Sequence, residues 1–137
     1  MNCPVCDSPM IVLELDQIEV DNCSKCGGVW LDPDEMDLLL DGSVGREEIR
    51  ANLKFGEPDH EKTHRCPICR HKMEKARVRR TASAPGIQID RCGRGHGTWL
   101  DGGELHAIVA LSEFPEAHRI HEFLQAVFRG MIRETRA

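Results

Sequence analysis

The sequence predicts a small α+β fold built from two tandem copies of one unit, each a β-hairpin followed by a short helix, with an amphipathic helix at the C-terminal end. Three observations carry this prediction. Two stretches of the chain are near twins: "CSKCGGVWLDPDEM" (23–36) and "CGRGHGTWLDGGEL" (92–105) agree at Cys23/Cys92, Gly28/Gly97, Trp30/Trp99, Leu31/Leu100, Asp32/Asp101 and Glu35/Glu104. Each twin is preceded by a C-P-x-C knuckle, "CPVC" at 3–6 and "CPIC" at 66–69. Finally, 137 residues with two Trp, four Phe and no Tyr cannot give each copy a large apolar core. Units of roughly 40 residues usually need a metal, disulfides or a partner to fold. Seven cysteines are the candidates for that help, so the class is small, metal-stabilised α+β.

The first copy spans 1–42. Ile11, Leu13 and Leu15 alternate with Val12 and Glu14, and Ile18 and Val20 flank Glu19, which is the period-2 pattern of a strand. "LDQI" between them reads as the hairpin turn. The second copy spans 66–112, with "MEKARVRR" and "GIQID" as strands around the turn-rich "TASAPG". After each tryptophan a helix start is expected, with Asp32 or Asp101 as N-cap, Glu35 or Glu104 three residues on, and Pro33 at the first helical position. Residues 43–65 read as a charged linker, in which "REEIRANLKF" could hold two or three helical turns. In 113–137, Ile120, Phe123, Leu124, Val127, Phe128, Met131 and Ile132 recur at helical spacing, opposite Arg119, Glu122, Arg129 and Arg133.

Nothing near Met1 resembles a secretory signal, so reducing cytoplasm is the expected compartment, where paired cysteines read as metal ligands rather than disulfides. Two C-x-x-C pairs, Cys3/Cys6 and Cys23/Cys26, can place four thiolates around one ion. Thiolates favour zinc over magnesium or calcium, and iron could use the same ligands. In the second copy Cys66, Cys69 and Cys92 recur, but Gly95 stands where Cys26 stands in the first. His96, one residue further on, is the nearest replacement, because an imidazole nitrogen lies further from its backbone than a thiol. His71 or His64 beside the first knuckle, or a position left open to water or a partner, are the alternatives.

"CPVC…IEVDNCSKCGGVWLDPDEMDLL" resembles the transcription-factor-IIB-type zinc-finger family: a CPxC knuckle, a hairpin, then C-x-x-C-G-G-x-W-L-D-x-x-E-L. The resemblance covers about 3–40 and 66–110. It implies tandem zinc ribbons and two zinc ions per chain. The family name implies transcription, but fold does not carry function.

Several features have a plain reading beside a sharper one. Trp30 and Trp99 are expected to cover the knuckles and pack the hairpin on the helix, against exposed platforms for stacking bases. "HEKTH" (60–64) fits H-E-x-x-H. Pro58 upstream, Cys66 downstream and the missing apolar period argue against a protease helix there. His118, His121 and Glu122 read as a solvated helix face.

No nucleophile–base pair stands out, so the reading is a non-enzymatic zinc-binding adaptor module that binds a protein or a nucleic acid. The alternative is zinc handling, metal sensing or hydrolysis at a less saturated second site. Net charge is −5, but residues 1–42 hold ten acidic side chains and one basic, while 43–137 are net +4. Arg70, Lys72, Lys75, Arg77, Arg79 and Arg80 could track a phosphate backbone or simply guard a strand edge. The tail helix could bury its apolar face in a homodimer or against its own chain.

Overall fold

The structure is a computed structural model, and it describes residues 1–15, 18–57, 64–115 and 118–125. The strands are β1 (Ile11–Leu15), β2 (Ile18–Asn22), β3 (Val29–Leu31), β4 (Lys54–Glu57), β5 (Glu74–Val78), β6 (Ile87–Arg91) and β7 (Thr98–Leu100). The helices are α1 (Glu35–Leu39), α2 (Arg46–Ala51) and α3 (Glu104–Val109), and residues 120–125 are also helical.

All seven strands join one antiparallel sheet in the order β1-β2-β3-β7-β6-β5-β4. This corrects the sequence reading of a hairpin plus helix in each copy. Each copy adds a third strand carrying its tryptophan, and those two strands pair with each other. Val29 lies opposite Leu100, Trp30 opposite Trp99 and Leu31 opposite Thr98. The copies are thus fused edge to edge about a local two-fold that passes between the tryptophans.

Strand alternation assigns the two faces of the sheet. Val20, Val29, Leu31, Val78, Ile89 and Leu100 face one core, completed by Leu39 and Leu40, Ile49 of α2, Leu105 and Ile108 of α3, and Ile120 and Phe123. Trp30 and Trp99 point to the other face, into a second cluster with Cys3, Cys23, Cys66, Cys92 and Met73. The apolar core is therefore common property, and neither copy owns a complete one.

The helices start later than the capping reading places them. Glu35 and Glu104 do supply half of a capping box, accepting the backbone N–H of Asp32 and Asp101 respectively. The aspartates do not cap. Their Oδ1 atoms accept the indole N–H of Trp30 (3.2 Å) and Trp99 (2.9 Å) instead. A left-handed residue, Asp34 (φ 72°) or Gly103 (φ 90°), then turns the chain into the helix, so Pro33 lies in the turn and not at the first helical position.

Within the expected linker, residues 43–57 contain α2 and β4. Arg46 and Arg50 of α2 both bind Asp37, with nitrogen–oxygen distances of 2.6 Å, which ties α2 to the first copy. β4 pairs with β5, and Arg80 reaches Glu48 (3.1 Å) and Glu113 (2.7 Å), which ties the segment to the second. In the tail, Ile120 and Phe123 pack into the chain's own core. The rest of the tail periodicity, 126–137, lies outside the described residues, as do His60 and Glu61 of "HEKTH". No described helix is long and apolar enough to cross a membrane.

Candidate metal centres

Three of the four knuckles share one backbone design. After the second cysteine comes a residue in the left-handed region: Asp7 (φ 56°), Gly27 (φ 76°) and Arg70 (φ 67°). Its N–H donates to the carbonyl of the first cysteine, at 2.9 Å from Asp7 to Cys3 and at 2.8 Å from Gly27 to Cys23 and from Arg70 to Cys66. This curls the turn so that backbone N–H groups aim at the first sulfur. Val5 and Cys6 each donate to Cys3 Sγ at 3.3 Å, and Ile68 donates to Cys66 Sγ at 3.4 Å.

The fourth knuckle turns one residue earlier. Gly95 N–H donates to Cys92 O (3.0 Å), and Gly95 itself takes the left-handed conformation (φ 82°). The outer closure is kept, since Cys92 N–H donates to Gly97 O (3.0 Å) as Cys23 N–H does to Gly28 O (2.9 Å). The early turn presents position 96 to the cluster, and His96 Nδ1 lies 3.5 Å from Cys92 Sγ and 3.9 Å from Cys66 Sγ.

Two ligand sets result: Cys3, Cys6, Cys23 and Cys26, and Cys66, Cys69, Cys92 and His96, the donor atoms of each lying within 4.8 Å of one another. Cys3 and Cys26 sulfurs are 3.8 Å apart, and those of Cys69 and Cys92 are 3.7 Å apart. A tetrahedron with zinc–sulfur bonds of about 2.3 Å has edges of about 3.8 Å, so the spacing fits zinc. It is far too long for a disulfide, and all seven cysteines are free.

The electrostatics agree with anion-bearing centres that want a cation. Burial pushes the thiols of Cys3 and Cys66 up to about 11, and raises Cys26 further. Burial acts on Cys92 as well, but the N–H groups of His96 and Arg94 and the neighbouring thiols of Cys66 and Cys69 outweigh it and hold that thiol at about 6. Cys23 is lowered in the same way, against its own burial, by the N–H groups of Cys26 and Lys25. Each set thus holds one lowered thiol, Cys23 or Cys92, beside raised ones. Full ionisation needs a bound cation of the kind that deprotonates coordinating thiols outright.

The other described histidines are committed elsewhere. His71 holds Cys69 O (3.0 Å) with Nδ1 and meets Arg94 Nη2 (3.1 Å) with Nε2. His118 contacts Asp41 O (3.2 Å), and His121 contacts Pro115 O (3.2 Å). His64 gathers with Asp90 and Asp101 in a third group that no knuckle spacing announces. There Lys75 Nζ lies 2.6 Å from Asp90 Oδ1, both side chains being almost fully buried, so the aspartate's charge is met by an internal cation. Among the six basic side chains of 70–80, Lys75 therefore points inward. Arg77 and Arg79 bind the carbonyls of Pro85 and Asn52, and Arg80 is held by Glu48 and Glu113.

The tryptophans lock the centres together. Both are fully buried, which rules out base-stacking platforms. A Cβ on Gly28 would overlap the Trp99 ring, and one on Gly97 would overlap the Trp30 ring. Each copy's glycine is therefore the seat of the other copy's indole.

A family model described as "Transcription factor zinc-finger" matches residues 2–42 and 65–111, the two stretches that carry the ligand sets. The chain belongs to this zinc-finger family. Its two Cys/His clusters fit two zinc ions. No curated protein matches the chain, and no solved structure does. Within this zinc-finger chain, the structured zinc would supply cross-linking of knuckles that are otherwise separate turns. A groove of about 550 Å³ is lined by residues that include Met36, Leu40, Ile49, Arg46 and Arg50.

Proposed function

We propose that this chain is a non-enzymatic zinc-binding module that acts by binding another protein. In this reading Cys3, Cys6, Cys23 and Cys26 hold one zinc, and Cys66, Cys69, Cys92 and His96 hold the other. The observation that carries it is saturation: four protein donors converge in each set, which is the composition of structural zinc sites and leaves no position for a reacting water. A protein is favoured over a nucleic acid because the cationic side chains of 70–80 are largely used within the chain. Exposed apolar residues, in contrast, occupy matching places on the knuckle tips, Val5 and Ile68, each 47% exposed. Reduced thiolate centres suit a cytoplasmic location. The family's name makes transcription the first setting in which to seek the partner.

The test uses the zinc-loaded full chain with a photo-crosslinking side chain at position 5 or 68, in cells. One recurrent protein adduct, lost in Cys3→Ser, is expected. If instead a salt-sensitive affinity for DNA or RNA is found that charge reversal of Arg77, Arg79 and Arg80 abolishes, nucleic acid is the partner and the protein-binding reading fails.

A further inference from the structure

The two halves of the sheet correspond strand for strand, and comparing them exposes an unfilled strand position. β1 matches β5: Ile11 with Glu74, Val12 with Lys75, Leu13 with Ala76, Glu14 with Arg77 and Leu15 with Val78, because Ile11 lies opposite Asn22 as Glu74 lies opposite Arg91. The outer edge of β5 carries an added antiparallel strand, β4, with Lys54 opposite Arg77, Phe55 opposite Ala76 and Glu57 opposite Lys75. Among the described residues, β1 pairs with β2 alone. The fold thus shows, on one of two equivalent edges, that an extra strand fits there.

Burial follows the same asymmetry, against hydrophobicity. Val12 is 56% exposed, whereas its charged counterpart Lys75 is 4% exposed; Ile11 next to it is 50% exposed. Of the usual guards of an edge, β1 has one charge, Glu14, and no lysine, proline or bulge within "IVLEL", while the opposite edge at β4 has a bulge between Phe55 and Glu57. Such an edge offers a row of backbone donors and acceptors to another strand.

Charge specifies what would fill it. Glu14 lies directly opposite Glu19, both exposed, a like-charge cross-strand pair that costs stability. Among the described residues neither carboxylate has a cationic partner, and Asp21 continues the acidic row on the same face. In the second copy the matching positions are Arg77 and Gln88. A second copy of this chain is a poor occupant, because it would bring together two first halves that each hold ten acidic side chains and one basic.

We propose that β1 is the docking edge for an extended, basic segment of the partner protein, added antiparallel as β4 is added to β5, with Glu14 and Glu19 reading its cationic side chains. This rests on the protein-binding reading above. The probe is a capped synthetic peptide of about ten alternating lysine and valine residues, titrated into the zinc-loaded full chain. Amide resonances of residues 11–15 are expected to shift, and those whose N–H faces away from β2 to become slow in hydrogen exchange. A matched peptide N-methylated at every residue, which keeps every charge but offers no N–H to a ladder on either edge, is expected to bind about tenfold or more weakly. The double substitution Glu14→Lys and Glu19→Lys should weaken the lysine peptide and admit a glutamate–valine peptide instead. Equal binding of the N-methylated peptide, or no response at 11–15, overturns the proposal. So do outward-facing amides of β1, those not bonded to β2, that are already slow in the free chain, since the edge is then occupied. If the crosslinked partner is captured equally by the Glu14→Lys, Glu19→Lys variant, this edge is wrong while the protein-binding reading stands; if no partner is captured at all, that reading fails and the peptide result decides the edge alone.

Discussion

At position 95 the backbone needs φ of 82°, a conformation that glycine adopts without penalty and a cysteine does not. The second copy has therefore exchanged both the candidate ligand and the turn that presents it. His96→Ala should make the second zinc labile, and with it weaken the hold on the first, to a chelator that leaves wild type loaded, measured by elemental analysis after dialysis. Adding Gly95→Cys to that variant should fail to restore the site, although it recreates the C-x-x-C spacing. Glu104 gives a pH prediction. Burial raises its carboxyl to about 8, so the folded state favours the protonated form that the unfolded chain loses near 4.5. That contribution is full at low pH and disappears as pH rises through about 8. Denaturant unfolding of the zinc-loaded chain between pH 6 and 8 should show stability falling with pH, with a ceiling of about 1.4 kcal/mol per pH unit. Glu104→Gln should flatten the slope. The thiol ligands were legible because knuckle spacing is local. The role of Asp32 and Asp101 was not, because a capping box and an indole acceptor share one sequence pattern, and only the left-handed turn at Asp34 and Gly103 separates them.

Among elements, the seam between β3 and β7 carries the most consequence. Each tryptophan buries on the order of 200 Å², worth about 5 kcal/mol as an upper bound, on a seat provided by the other copy. Gly28→Ala should therefore cost roughly 3 kcal/mol, read as a lowered unfolding midpoint, and release zinc from both centres more easily. The repeat was plain in the sequence, and so were β1, β2, β5 and β6, whose alternation is long enough to see. The seam was not, because three-residue strands such as "VWL" show no period and because identical glycines in two copies do not announce that each serves the other. β4 was missed for a related reason. The first two residues of "KFGE" close the stretch "REEIRANLKF" that reads as possible helical turns, and its glycine, at φ 70°, begins what reads as linker; its strand character comes from β5 beside it.

As a whole molecule, the chain is one sheet and one shared core stapled at two places on the opposite face. The acidic first half and basic second half are adjoining parts of that sheet, and the added strand β4 distinguishes their outer edges. Removing both metals should unfold everything in one transition, because the knuckles hold the ends of β1, β2, β5 and β6 and the apolar core has no independent half. The most direct test is the zinc content and folding of Cys3→Ser, Cys6→Ser, a variant damaged only in the first centre. The fused arrangement predicts that it loses the second zinc as well, at chelator concentrations that wild type withstands, together with the dispersed amide spectrum of the second copy. One tightly held zinc per chain, with residues 66–112 still folded, would contradict it and would mean that the copies are independent beads.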